Sequence, residues 1–129
     1  MSISFANKKV IIAGSRSFNS FLFIDDYLCQ LTEGYTIPFE VVSGMAPGVD
    51  TLAVRWANYH GYPLKEFPAD WNKYGKAAGY RRNVEMAEYA DLLIAFWDGK
   101  SPGTKHMIDI MKSKGKHGKI VYTNRPAPF

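Results

Sequence analysis

Apolar and polar positions along this chain follow two periods in alternation. Short apolar runs at Lys9–Ala13, Phe39–Val42, Pro63–Phe67, Asp91–Trp97 and Lys119–Tyr122 predict strands, the clearest being Asp-Leu-Leu-Ile-Ala-Phe-Trp at 91–97. Amphipathic stretches between them predict helices over Phe21–Thr32, Val49–Tyr59, Ala77–Tyr89 and Pro102–Lys114. In the second of these, Leu52, Ala53, Trp56 and Ala57 share one face, and Gly61 reads as its stop. The tail at 124–129, Asn-Arg-Pro-Ala-Pro-Phe, is too rich in proline to extend an element. Five strands separated by four helices imply an α/β fold of three layers: a mainly parallel sheet of about five strands, right-handed crossovers, and helices on both faces. At 129 residues, one domain over 1–129 accommodates this.

Three of the strand-to-helix turns carry a common composition. Gly14-Ser15-Arg16-Ser17-Phe18 leaves the run Val10-Ile11-Ile12-Ala13; Ser43-Gly44-Met45-Ala46-Pro47-Gly48-Val49-Asp50 leaves Val41-Val42; and Asp98-Gly99-Lys100-Ser101-Pro102-Gly103-Thr104 leaves the strand at 91–97. In a parallel sheet these turns share the carboxyl edge of the strands, where ligands bind at a switch in strand order. Glycine permits close approach, and a helix start offers unpaired amides to an anion. The three turns therefore predict one composite pocket for a phosphate or nucleotide. Asp50 reads either as a first-turn acid favoured by the helix dipole or as a group that holds a ligand hydroxyl or Arg16. Ser101 or Thr104 is placed to cap the last helix, a role compatible with ligand binding. No G-x-x-x-x-G-K-[ST] string and no G-x-G-x-x-G string occurs, which argues against a P-loop and a dinucleotide cofactor of the common type.

Between the third and fourth strands lies Lys76-Ala77-Ala78-Gly79-Tyr80-Arg81-Arg82-Asn83. Adjacent arginines on a helix point about 100° apart, so the two serve different purposes. One reading makes them a surface residue and an ion-pair partner of Glu85 or Glu88; the other sends one into the pocket to hold phosphate bidentately. Asp70-Trp71 upstream offers either packing or a stacking surface for a base.

Composition narrows the classes further. Hydrophobic residues make up 47% and charged residues 22%, ordinary for a globular chain, and no apolar run approaches the ~20 residues of a membrane span. The first eight residues lack the pattern of a signal peptide, so a cytoplasmic location is expected. A single cysteine, Cys29, excludes an internal disulfide and a cysteine-based metal site, and its neighbours Leu28 and Leu31 suggest a core position. Neither a metal nor a cofactor is expected. The net charge of +4 comes partly from Lys112, Lys114, Lys116 and Lys119. These read as a solvated helix end favoured by the dipole, with single-stranded nucleic-acid binding the alternative that is not favoured.

Set side by side, Gly14-Ser15-Arg16; Ser43 to Asp50 with Ala53 and Ala57; Phe67-Pro68-Ala69-Asp70-Trp71; Ala78 to Asn83; and Asp98 to Thr104 resemble the SLOG superfamily. That group joins the DNA-processing protein DprA, the "Lonely guy" (LOG) phosphoribohydrolases and YspA/YpsA-related bacterial and phage proteins. The YspA-like branch is the best match, over about Lys8 to Tyr122. The resemblance implies a Rossmann-like domain that binds a nucleotide or an ADP-ribose-like ligand, as a sensor or sequestering protein. It implies ligand contacts from Gly14, Ser15, Arg16, Ser43, Gly44, Gly48, Asp50, Arg82, Asn83, Asp98, Gly99, Ser101, Gly103 and Thr104. Relatives commonly self-associate, so a homo-oligomer is expected, and Phe18, Phe21 and Phe23 are available for such an interface or for the core. LOG enzymes cleave the N-glycosidic bond of nucleoside monophosphates with an arginine and a glutamate. The arginine role carries over to Arg82, with Asn83 in place of the family lysine, but the glutamate position holds Met107. Glycosidase chemistry would then need another acid, for which Asp50, Asp98 and His106 are the candidates.

Overall fold

A computed structural model describes residues 7–32, 39–116 and 118–123. Its strands are β1 (Lys9–Gly14), β2 (Glu40–Ser43), β3 (Leu64–Glu66), β4 (Leu92–Trp97) and β5 (Gly118–Tyr122). Its helices are α1 (Phe21–Leu31), α2 (Val49–His60), α3 (Trp71–Tyr74), α4 (Ala78–Tyr89) and α5 (Pro102–Ser113), and a 3-10 turn at Gly75–Ala77 joins α3 to α4. The strands form one sheet in the order β3-β2-β1-β4-β5, and every pairing is parallel. The α/β expectation holds. The chain order runs outward from β1 through β2 to β3, then returns to the other side of β1 at β4. The β1–β4 seam is the switch point, with Gly14 in register with Phe96.

The continuous apolar strands are explained by cover on both sides. Val10 and Ile12 of β1 and Leu92, Ile94 and Phe96 of β4 pack with Ile24 and Leu28 of α1 and Val49, Ala53, Trp56 and Ala57 of α2. Ile11, Ala13, Leu93 and Ala95 face the other way, toward Met86 and Ala87 of α4 and Met107, Ile108 and Met111 of α5. The edge strand β3 is three residues long and exposes Lys65 and Glu66, which discourages pairing with a further strand.

Two local expectations need correction. Cys29 is exposed rather than core, because the buried stripe of α1 is Ile24 and Leu28 and Cys29 lies one residue beyond it, at the rim facing α2. The helix α3 was absent from the expected elements. It is a single turn, too short to show a period, and is held by Asp70, whose Oδ1 accepts from the Lys73 N–H at 3.0 Å. The readings of the N-terminal segment through residue 6 and of the tail at 124–129 lie outside the described residues.

Phe18 and Phe21 pack partly against the core, while Phe23 is 40% exposed and meets Phe18 edge-on at 5.5 Å. Lys116, one of the cluster's lysines, bridges to α4: its Nζ donates to the carbonyls of Ala87, Glu88 and Ala90. It thereby satisfies open carbonyls at the α4 terminus and meets the negative end of that dipole. Lys112 and Lys114 remain exposed.

Candidate functional site

A cavity of about 370 Å³ lies over the β1–β4 seam. Its walls include Gly14 and Arg16 from the first turn, Ala46 and Asp50 from the second, and Ser101, Gly103 and Thr104 from the third. Trp71, Lys76, Tyr80, Arg82 and Asn83 close it from the α3–α4 side. A second cavity of about 360 Å³ adjoins it, and Arg16, Ala46, Trp71 and Arg82 line both. Gly44 lines the second.

Two glycines make this geometry. A Cβ on Gly14 would stand 2.1 Å from the Phe96 carbonyl oxygen, so only glycine lets β1 end against β4 and α2. Gly48 has φ +83°, and a Cβ there would stand 2.3 Å from the Ser15 carbonyl oxygen. That contact brings the start of α2 under the first turn, where Val49 N–H donates to Ser15 O at 3.3 Å.

Neither helix start at the cavity has a side-chain cap. Gly48 cannot supply one, and Ser101, although in the N-cap position of α5, turns its hydroxyl to Asp98 Oδ2 at 2.9 Å and Ser15 Oγ at 3.3 Å. Neither Ser101 nor Thr104 therefore caps α5 through its side chain, contrary to expectation. Asp98 outcompetes the helix for Ser101. Its Oδ1 also accepts from the N–H groups of Ser101 at 2.7 Å and Lys100 at 2.8 Å. These amides, first that of Ser101, draw the carboxyl down to about 2. Asp98 is thus spent within its own turn and does not line either cavity.

Ser15, Ser43, Gly48 and Gly99 also lie behind the walls rather than on them. Ser15 accepts from the Asp98 N–H at 3.0 Å and so ties β1 to the third turn. Ser43 donates to the Asp50 carbonyl at 3.0 Å and accepts from Met45 N–H at 3.2 Å. These serines shape the turns that the cavity uses.

Asp50 is buried at the base of the cavity, where its Oδ2 accepts from Ala46 N–H at 3.3 Å. Burial pushes its carboxyl up to about 6, against the opposite pull of Arg82, the backbone N–H groups of Ala46 and Gly14, and Arg16. Arg82 is half-buried. Its Nη1 donates to the Gly44 carbonyl and its Nε to Asn83 Oδ1 at 3.1 Å. Burial lowers its pKa, and the Asp50 charge works the other way. Arg81 points elsewhere, its guanidinium 4.1 Å from the centre of the Tyr74 ring. Neither arginine pairs with Glu85 or Glu88 among the described ion pairs.

Asn83 is buried and spans two helices: its Nδ2 donates to the Gly103 carbonyl at 3.2 Å and lies 3.2 Å from His106 Nδ1. His106 stands behind the wall with its ring edge-on to Tyr80 at 4.4 Å. Met107 is buried and lines the cavity with its thioether, a group that moves no proton. Arg16 is exposed and has no hydrogen-bond partner among the described residues. Trp71 is 50% exposed and Tyr80 46% exposed at the same rim. Lys76, in the 3-10 turn, and Tyr80, at the start of α4, line the cavity beyond the expected residues; both lie in the same 76–83 segment as Arg82.

An all-parallel sheet with a cationic cavity over its switch point defines a doubly wound α/β protein suited to anionic ligands. Residues 8–74 match the profile of YAcAr, the YspA, cpYpsA-related SLOG family, and the chain belongs to that family. It is also similar to the Gene 61 protein of Mycobacterium phage D29, 36% identical over 105 residues that cover 77% of this chain and 84% of the phage protein. No helix among the described residues is long and apolar enough to cross a membrane.

Proposed function

We propose that the protein binds a nucleotide or nucleotide-derived ligand at the carboxyl edge of its sheet and acts as a sensor or sequestering protein. The observation that carries this reading is the meeting of Arg16, Lys76 and Arg82 with two uncapped helix starts in one cavity, rimmed by Trp71 and Tyr80. The cations and amides suit phosphate oxygens, and the exposed rings suit a base. A volume of about 370 Å³ lies at the lower end of the roughly 300–1,000 Å³ usual for small-molecule sites. The adjoining cavity gives room for a second ligand moiety beyond the shared Arg16–Arg82 wall. Titration calorimetry with nucleoside mono- and diphosphates and ADP-ribose tests the reading. Micromolar binding is expected, and no heat at millimolar ligand with folded protein would overturn it.

Asp50 favours a second reading, hydrolysis of the N-glycosidic bond of a nucleoside monophosphate. A buried carboxyl with a pKa of about 6 on the cavity wall can give a proton to a departing base near neutral pH. Release of free base, lost in Asp50→Asn, would establish it. Binding without release supports the sensor reading instead. Nucleic-acid binding through the C-terminal lysines is weakened by the engagement of Lys116 with the end of α4.

A further inference from the structure

On the other flank of the sheet, α1 and α2 bring together three side chains that the nucleotide site does not use. Asp25 and Cys29 are one helical turn apart on α1, and His60 is the last residue of α2. His60 Nε2 lies 2.7 Å from Asp25 Oδ1, Cys29 Sγ lies 3.3 Å from the same oxygen, and Sγ and Nε2 are 4.0 Å apart. We infer that, contrary to the expectation drawn from the single cysteine, Asp25, Cys29 and His60 form a transition-metal site of the zinc type, with a fourth position open to solvent.

The donor chemistry is the first support. A thiolate, an imidazole and a carboxylate are the three side chains zinc takes most readily, and a set of three with one open position is an established arrangement. Geometry is the second. Tetrahedral zinc with ordinary bond lengths places such donors roughly 3.4–3.6 Å apart, and the separations here depart from this by about 0.7 Å or less. Side-chain rotation alone covers that difference. The surroundings are the third. Trp56 Nε1 donates at 3.1 Å to Asp25 Oδ1, the same oxygen that meets His60 and Cys29, and so fixes the position of the carboxylate. Cys29 is exposed, and the Asp25 and His60 side chains are about 30% exposed, so an ion can enter from solvent.

A simple Asp–His ion pair at the end of α2 accounts for two of the three groups. The thiol, which donates to the same Asp25 oxygen, completes a set of three donors around one point. The metal replaces the thiol proton, takes the lone pair of His60 Nε2 with any ring proton carried on Nδ1, and joins α1 to the C-terminus of α2. Because Asp50 near the start of α2 lines the nucleotide cavity and His60 ends the helix, the two are about 15 Å apart. The site is therefore independent of the proposed ligand function, and its role is to fasten the two helices.

Cobalt(II) chloride added to the reduced full chain is the probe. One equivalent should produce tetrahedral d–d bands and a thiolate-to-cobalt charge-transfer band, both abolished by one equivalent of zinc. Zinc should also slow the reaction of Cys29 with an aromatic disulfide reagent at least tenfold and raise the melting temperature. Cys29→Ser should lose the charge-transfer band and the zinc-dependent rise in melting temperature, and His60→Gln should weaken cobalt binding at least tenfold, each with an unchanged circular-dichroism spectrum. Absence of the charge-transfer band at a tenfold cobalt excess would overturn the proposal. So would a band of equal affinity in His60→Gln, which would mark an adventitious thiolate adduct only. Should Asp25→Asn or His60→Gln fail to fold, the protection of Cys29 by zinc in wild-type protein still decides.

Discussion

Asp50 and Asp98 are both carboxylates at strand-to-helix turns, yet their surroundings drive them in opposite directions. Asp50 has a pKa of about 6 in the fold, mainly through burial, against about 3.9 in an unfolded chain. The folded state binds that proton more tightly, so the linked stability is complete below about pH 4 and is lost as pH rises through about 6. Its size is on the order of 3 kcal/mol. Asp50→Asn keeps the neutral form at all pH values. Urea unfolding between pH 4 and 8 should show a decline in the wild type that the variant lacks, and an equal decline in both would place the titration elsewhere. Asp98 is held near 2 by the N–H groups of Ser101 and Lys100. Its stabilisation is present above about pH 4 and is lost as pH falls through about 2. Asp98→Ala should cost about 1 kcal/mol at neutral pH, through the freed amides of its turn, and should leave ligand affinity within about twofold.

At the scale of elements, the cavity depends on how α4 and α5 are tied, and Asn83 supplies the polar link between them at the cavity wall. Asn83 links Arg82 Nε to the start of α5 at Gly103. Asn83→Ala should lower stability by about 1–3 kcal/mol and also weaken nucleotide binding, because Arg82 loses the acceptor that orients it. Retained affinity in a folded, destabilised variant would separate Arg82 from the ligand. The four long helices and the central strands were legible because each buries a face or a run long enough to show a pattern, and the edge strands β3 and β5 because short apolar runs mark them. The single turn α3 was not, since four residues cannot carry one and its signal is a lone cap at Asp70. The candidate site was legible where glycine and arginine mark a strand end, as at Gly14 and Arg16, and where paired arginines on a helix must point apart, as at Arg82. Ser15, Ser43 and Asp98 belong to the same turns but face inward, and composition does not reveal which way a turn residue points. The surroundings of Cys29 were hidden for a related reason: His60 is distant in sequence, and only the packing of α1 on α2 brings them together.

At the scale of the whole molecule, topology sets the orientation of the proposed ligand. Because the strand order reverses at the β1–β4 seam, the first and third turns meet there, tied through Ser15, and the cavity opens beside them toward α3 and α4. In the proposed binding mode, phosphate oxygens lie beside Arg16 and the helix starts, and a base lies between Trp71 and Tyr80. These two halves of the proposal fail separately. Arg16→Ala removes a cation that makes no other hydrogen bond, so it should weaken every phosphate-bearing ligand by ~1.5–3 kcal/mol with little change in stability. Trp71→Ala should weaken ligands that carry a base by ~1–3 kcal/mol and leave ribose 5-phosphate unchanged. Calorimetry of both variants with a nucleoside monophosphate and with ribose 5-phosphate fills the four cells of this comparison. An equal loss of both ligands in Trp71→Ala would put the ring against phosphate or sugar and reverse the assigned orientation. A loss confined to the base-bearing ligand in Arg16→Ala would move the phosphate to Arg82 and Lys76 instead.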